Sequence, residues 1–161
     1  MAIANLKEYL NSQGVKYQSI VHPRTVTTPE TAETTRISGK ELAKTVILKL
    51  DGALAMAVLP ASYQVELESV RRLTGVREAE LATESEFKRH FPDCETGAMP
   101  PFGNLYGIPV YVDESLTEDH EIAFNAGSHY ELIRMAYLDF ERLVGPEVMS
   151  FSSAREAAVL V

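Results

Sequence analysis

Three places in the chain combine residue types that can do chemistry on a small ligand. Lys44 heads an otherwise apolar run, Lys44-Thr45-Val46-Ile47-Leu48. A lysine there either stays solvated at the start of a strand or turns its ammonium into a cleft, where it would donate to a carbonyl or phosphate oxygen. The second place is Thr96-Gly97-Ala98-Met99-Pro100-Pro101-Phe102-Gly103. Its glycines permit close backbone approach and its prolines fix its shape, so it can offer N–H groups to a ligand without first being ordered; the other reading is a turn that only joins two elements. In the third, Phe124-Asn125-Ala126-Gly127-Ser128-His129, an apolar strand gives way to small and polar residues. His129 there either orients a water, takes a proton or bonds a ribose hydroxyl, or is simply a histidine in a turn.

Other chemistries find little support in the spacing. The histidines at 22, 90, 120 and 129 form no His-x-x-x-His pair, and Cys94 is the only cysteine, so neither a metal site nor a metal cofactor is expected. Cys94 lies near the Gly-Pro loop but has no base partner in view, which leaves it a weak candidate nucleophile. There is no Gly-x-Ser-x-Gly elbow, and the Gly-Pro loop lacks the spacings that cradle phosphates. Arg71-Arg72 and Lys88-Arg89-His90 read as solvated helix faces, with phosphate contact as the alternative.

These residues must be positioned by a mixture of helices and hairpins. Ile3, Leu6 and Leu10 share one helical face that Gly14 ends, and Tyr17 to Val21 reads as a short strand broken at His22-Pro23. Thr28-Pro29-Glu30 predicts the start of a short helix, and Ser38-Gly39-Lys40-Glu41 one more helical turn. The clearest local signal is a β-hairpin of Lys44–Leu50 and Ala53–Leu59 across an Asp51-Gly52 type I′ turn. A helix carrying Val65, Val70 and Leu73 should end at Gly75, and Thr83-Glu84-Ser85-Glu86 should open another that stops before Pro92. After an irregular loop from Glu95 to Gly107, short strands are expected at 108–112, 122–124 and 132–136, then a helix capped by Asp139 and ended by Gly145-Pro146. The tail beyond Phe151 has weak pattern, although residues 157–161 are apolar enough to dock. With no repeat and no regular βαβ alternation, the fold class is α+β.

A chain of 161 residues is one domain's worth, and 45% hydrophobic residues can fill its core without disulfide staples. The start of the chain lacks the basic, then apolar, pattern of a signal peptide, and no run approaches the ~20 apolar residues of a membrane span, so a cytoplasmic protein with no membrane partner is expected. A net charge of -8 argues against a broad nucleic-acid surface and against DNA as a partner. Any RNA contact should be local.

In their order along the chain, the three places resemble the YbaK/ProX family of aminoacyl-tRNA deacylases, the prolyl-tRNA-synthetase-associated editing domains. The residues that carry the likeness are Lys44-Thr45-Val46, the loop Gly97-Ala98-Met99-Pro100-Pro101-Phe102-Gly103, and Asn125-Ala126-Gly127-Ser128-His129. His22-Pro23 before a Thr-rich segment and the closing Tyr137-Leu138-Asp139-Phe140-Glu141-Arg142-Leu143 add to it. The resemblance implies a single domain over 1–161 with a mixed, barrel-like sheet surrounded by helices. It implies an editing hydrolase acting in trans on the acceptor end of mischarged transfer RNA, with no cofactor and no covalent enzyme intermediate; a synthetase is a further partner it admits. Lys44 and His129 would be the catalytic pair. Thr45, Gly97, Pro101, Phe102, Gly103, Asn125, Gly127 and Ser128 would bind the substrate, with Thr45 and Ser128 bearing on amino-acid choice. A small amino acid is expected, and a binding module that keeps the cleft without turnover is the alternative.

Overall fold

The computed structural model describes residues 2–23 and 41–154. Helix α1 (Ala2–Ser12) buries Leu6 and Leu10 completely, and β1 (Tyr17–Val21) follows. The hairpin forms in the expected register: β2 (Ala43–Leu50) pairs antiparallel with β3 (Ala53–Pro60), Leu50 opposite Ala53. Asp51 and Gly52 both have positive φ, 49° and 86°, as a type I′ turn demands. The Asp51 carboxylate also accepts from the backbone N–H groups of Glu78 and Arg77, which hold it below the usual carboxylate range.

The hairpin is the spine of a mixed sheet with order β5-β2-β3-β6-β9, built with β5 (Ala79–Leu81), β6 (Val110–Asp113) and β9 (Glu147–Met149). β6 lies parallel to both β3 and β9. β7 (Glu121–Asn125) and β8 (Glu131–Ala136) make a second, antiparallel sheet with β1 in the order β1-β8-β7. A third sheet pairs β4 (Tyr63–Val65) with β10 (Ser152–Ala154). The α+β class holds, but among the described residues the sheets do not close into the expected barrel. β2 gives its hydrogen bonds to β3 and β5 and β7 gives its own to β8, so among the described residues the strand pairing between the two larger sheets is a single bridge, Leu42 with Ala123.

Alternation along β2 and β3 sorts the core. Ala43, Ile47, Met56 and Val58 face a cluster with Leu6, Leu10, Phe102, Phe124 and Phe140, whereas Leu48, Leu50, Ala57 and Leu59 face Val70 and Phe151. Helix α2 (Leu67–Thr74) starts later than expected, since Val65 belongs to β4 and pairs with Ser152; Gly75 ends it as anticipated, with φ 78°. Helix α3 (Glu84–Phe87) opens with a complete capping box between Thr83 and Glu86 and continues as a 3-10 turn over Lys88–His90. Glu86 also takes the ammonium of Lys49, which draws its carboxyl down to about 2 and ties α3 to the sheet.

Helix α4 (Tyr137–Val144) corrects a second expectation. Its N-cap is Ala136, with no side-chain cap, and Asp139 lies in the first turn, where a negative charge still suits the helix end. Phe151 and Ser152 are anchored, because buried Asp113 accepts from their N–H groups at 3.0 Å each and from that of Ser115 at 3.1 Å. The helix expected after Thr28 and the docking of residues 157–161 lie outside the described residues, as does most of the turn at Ser38–Glu41. Among the described residues no helix is long and apolar enough to cross a membrane.

Candidate functional site

The Gly-Pro loop and the turn after β7 are interlocked by backbone hydrogen bonds. Glu95 N–H donates to the Gly127 carbonyl at 2.8 Å, and Gly127 N–H donates to the Ala98 carbonyl at 2.9 Å. Gly127 makes these bonds at φ 99°, a conformation in which a side chain would be strained. The His129 ring crosses back to the loop, its Nε2 lying 2.9 Å from the Thr96 carbonyl. A carbonyl only accepts, so Nε2 carries the proton and a neutral ring presents Nδ1 as its acceptor. A Cβ built on Gly97 would sit 3.7 Å from the His129 ring, so the loop lies directly against the imidazole.

Lys44 stands at the start of β2, close to the point where the two larger sheets are bridged. The bridge between Leu42 and Ala123 is parallel, and two residues further along each strand stand half-buried Lys44 and buried Asn125. Side-chain alternation puts both on the face of Leu42 and Ala123, where Leu132, Ala61 and Ile20 form an apolar floor. Thr45, one residue on, belongs to the opposite face of β2, with Ala43 and Ile47.

His22 shares the Lys44 and Asn125 face, a place that its sequence context did not disclose. Its N–H donates to the Tyr130 carbonyl at 2.9 Å, just beyond the register pair Val21 and Glu131. Its Nδ1 lies 2.7 Å from the Pro23 carbonyl and therefore donates, which leaves Nε2 a lone pair. His22 Nε2 and Asn125 Oδ1 are buried acceptors without a hydrogen-bond partner among the described residues. Such atoms cost about 1–3 kcal/mol each when unmet, and a ligand's donors remove that cost.

The remaining residues named from sequence divide by depth. Ser128 is half-buried and its Oγ accepts from Tyr130 N–H at 3.2 Å. Pro101 is buried within the loop, and Phe102 is wholly buried, its ring 5.6 Å from that of Phe124 and 5.5 Å from that of Phe140. Gly103 is pressed against the backbone: a Cβ there would lie 2.6 Å from both the Ile108 carbonyl oxygen and Val110 Cγ2. Phe102 and Gly103 thus brace the loop from behind. Cys94 is half-buried against the Tyr106 hydroxyl, and burial pushes its thiol up, away from the reactive thiolate.

Glu95 is the positioning residue that sequence reasoning passed over. Its carboxylate accepts from His129 N–H at 2.8 Å, fixing the turn that carries the imidazole. Glu95→Ala should therefore lower turnover about tenfold, while Glu95→Gln, which keeps an acceptor oxygen, should stay within about threefold. Steady-state hydrolysis by the two variants, with an intact near-ultraviolet spectrum, checks this. Equal losses in both would mean that the charge matters and the hydrogen bond does not.

Fold and site together define an α+β domain in which a stiff glycine loop is interlocked with the turn that follows β7. The chain belongs to the aminoacyl-tRNA editing domain family, whose model matches residues 22–143. Its activity is accordingly that of an aminoacyl-tRNA deacylase. Over 147 residues it is 26% identical to the Multifunctional Ser/Thr-tRNA deacylase ProXp-y of Escherichia coli (strain K12), covering 88% of this chain and 87% of the relative. The crystal structure of hypothetical protein APE2540 superposes with a TM-score of 0.83 at 21% identity, over 92% of this chain and 99% of that one. Another, described as "a putative trans-editing enzyme for prolyl tRNA synthetase", gives 0.81 at 20% identity, over 95% and 98%. At these identities the two crystal structures establish the shared fold.

Proposed function

We propose that the chain removes a small, wrongly attached amino acid, with serine and threonine esters the first to try, from the terminal adenosine of transfer RNA, held in a hollow between Lys44 and the His129 turn. The observation that carries this reading is the interlock of the Gly97 loop with the His129 turn, in a chain of this family, at the strand ends that bear Lys44 and Asn125. The choice of serine and threonine rests on the name of the curated relative.

An aminoacyl ester is already activated, so positioning and charge stabilisation suffice without a strong nucleophile. In the proposed reaction a water, which a neighbouring ribose hydroxyl can help to orient, adds its oxygen to the ester carbonyl carbon. The ester C–O bond then breaks and the displaced proton ends on the ribose oxygen. The Lys44 ammonium stabilises the charge on the carbonyl oxygen or holds the adjoining phosphate. His129, protonated at Nε2, offers Nδ1 to the ribose or to the attacking water. Asn125 and His22 supply acceptors for the donors of the aminoacyl group, and a small hollow excludes bulky side chains by size.

A panel of transfer RNAs mischarged with serine, threonine, alanine, valine and phenylalanine tests this reading. Release should be confined to the small side chains and fall as size grows. Fastest release of phenylalanine, or none from any member, would overturn it.

A further inference from the structure

Beside the proposed hollow runs a groove of about 330 Å³ that the chemistry above does not use. Its apolar lining comes from Phe87, Phe91, Pro92 and Met99, of which Pro92 is exposed and Phe87 half-buried. Its rim carries Lys88 and Arg89, both exposed, and among the described residues neither is paired with a carboxylate. The same two cations border an adjoining hollow of about 430 Å³. Glu84, the acid that shares this second hollow, accepts from Thr96 Oγ1 at 3.1 Å.

The groove ends on the candidate site. Thr96 lines it, and the Thr96 carbonyl is the atom that holds His129 Nε2. Phe91 and Met99 are buried beneath the groove, so its accessible apolar surface is that of Pro92 and Phe87. Such surface flanked by unpaired cations, in a chain of net charge -8, suits single-stranded nucleic acid, a base against Phe87 and Pro92 and the phosphates on the cations. We propose that this groove takes the unpaired nucleotides immediately 5′ of the terminal adenosine, with Lys88 and Arg89 on their phosphates. The proposal rests on the editing reading, because the adenosine must then lie in the hollow beyond Thr96.

The test measures binding and turnover separately. The binding probe is an uncharged acceptor minihelix ending in CCA, read by fluorescence anisotropy. Lys88→Ala with Arg89→Ala should weaken it about tenfold or more and reduce the slope of log affinity against log salt by roughly one for each phosphate no longer neutralised. Trimming the CCA from the probe should weaken wild-type binding to the same degree and leave the double variant nearly unaffected. In turnover, the double variant should raise KM on aminoacylated minihelix about tenfold with kcat kept, and leave hydrolysis of 3′-aminoacyl-adenosine, which lacks the preceding nucleotides, within about twofold. Removing the same amount of charge from α2, by Arg71→Ala with Arg72→Ala, should change none of these. Minihelix binding that ignores Lys88 and Arg89, or falls equally with Arg71 and Arg72, overturns the groove. Absent hydrolysis with Lys88- and Arg89-dependent binding overturns the editing reading instead and leaves the groove standing.

Discussion

Replacing Lys44 by alanine is expected to lower kcat/KM on a mischarged transfer RNA by about 10²–10³, or roughly 3–4 kcal/mol of transition-state stabilisation, the amount that one well-aimed donor to a developing oxyanion contributes. The loss should fall mainly on kcat if the ammonium meets the carbonyl oxygen, and mainly on KM if it holds the phosphate. Lys44→Arg keeps the charge but spreads it over a planar fork, so it should recover part of the activity and no more. Because Lys44 is half-buried at a strand end rather than inside the core, the melting temperature should move little. Single-turnover hydrolysis with each variant decides the matter. An alanine variant within twofold of wild type would remove this residue from the mechanism.

The second large effect is on folding. Phe102→Ala removes a ring that lies against Phe124, Phe140 and Tyr9 with no solvent exposure, and should cost about 3–5 kcal/mol. For a chain of this size that is a fall in melting temperature of roughly 10–15 °C, readable by calorimetry. Phe102→Leu refills most of the space and should cost about 1–1.5 kcal/mol. The leucine variant also separates two roles. If Phe102 only braces the Gly-Pro loop, its amino-acid preference matches wild type; if the ring lines the substrate hollow, the preference shifts.

What could be read from the sequence was what short-range chemistry dictates. Asp51-Gly52 announces its turn because few other dipeptides accept two positive φ angles in succession, and Thr83 with Glu86 announces its helix because each satisfies the other's backbone donor. The elements that went unread owe their form to distant partners. Tyr63–Val65 is three residues long and becomes a strand only by pairing with Ser152–Ala154, so Val65 looked helical beside Val70. Ala136 rather than Asp139 starts the last helix because β8 delivers the chain directly into it.

The candidate site shows the same division. Lys44, Gly97, Gly127 and His129 could be named because their residue types are uncommon in those settings. The interlock of the Gly97 loop with Gly127 and His129 could not be read, since it runs through carbonyls and N–H groups that every residue carries. Glu95 was passed over, and His22 was named only for its motif and not for the site, for a related reason. Each acts across the gap between segments, Glu95 on the His129 backbone and His22 beside Tyr130, and nothing in their neighbours betrays it.

The anchorage of Asp113 bears on how much chain makes a stable unit. The stretch that carries the family likeness stops at residue 143, yet the carboxylate on β6 takes two of its donors from residues 151 and 152. A fragment trimmed to that stretch would bury an anion stripped of much of its solvation and would also lack the helix that contributes Leu6 and Leu10. The catalytic residues proposed here all fall inside the likeness, but the scaffold that keeps them together begins before it and ends after it.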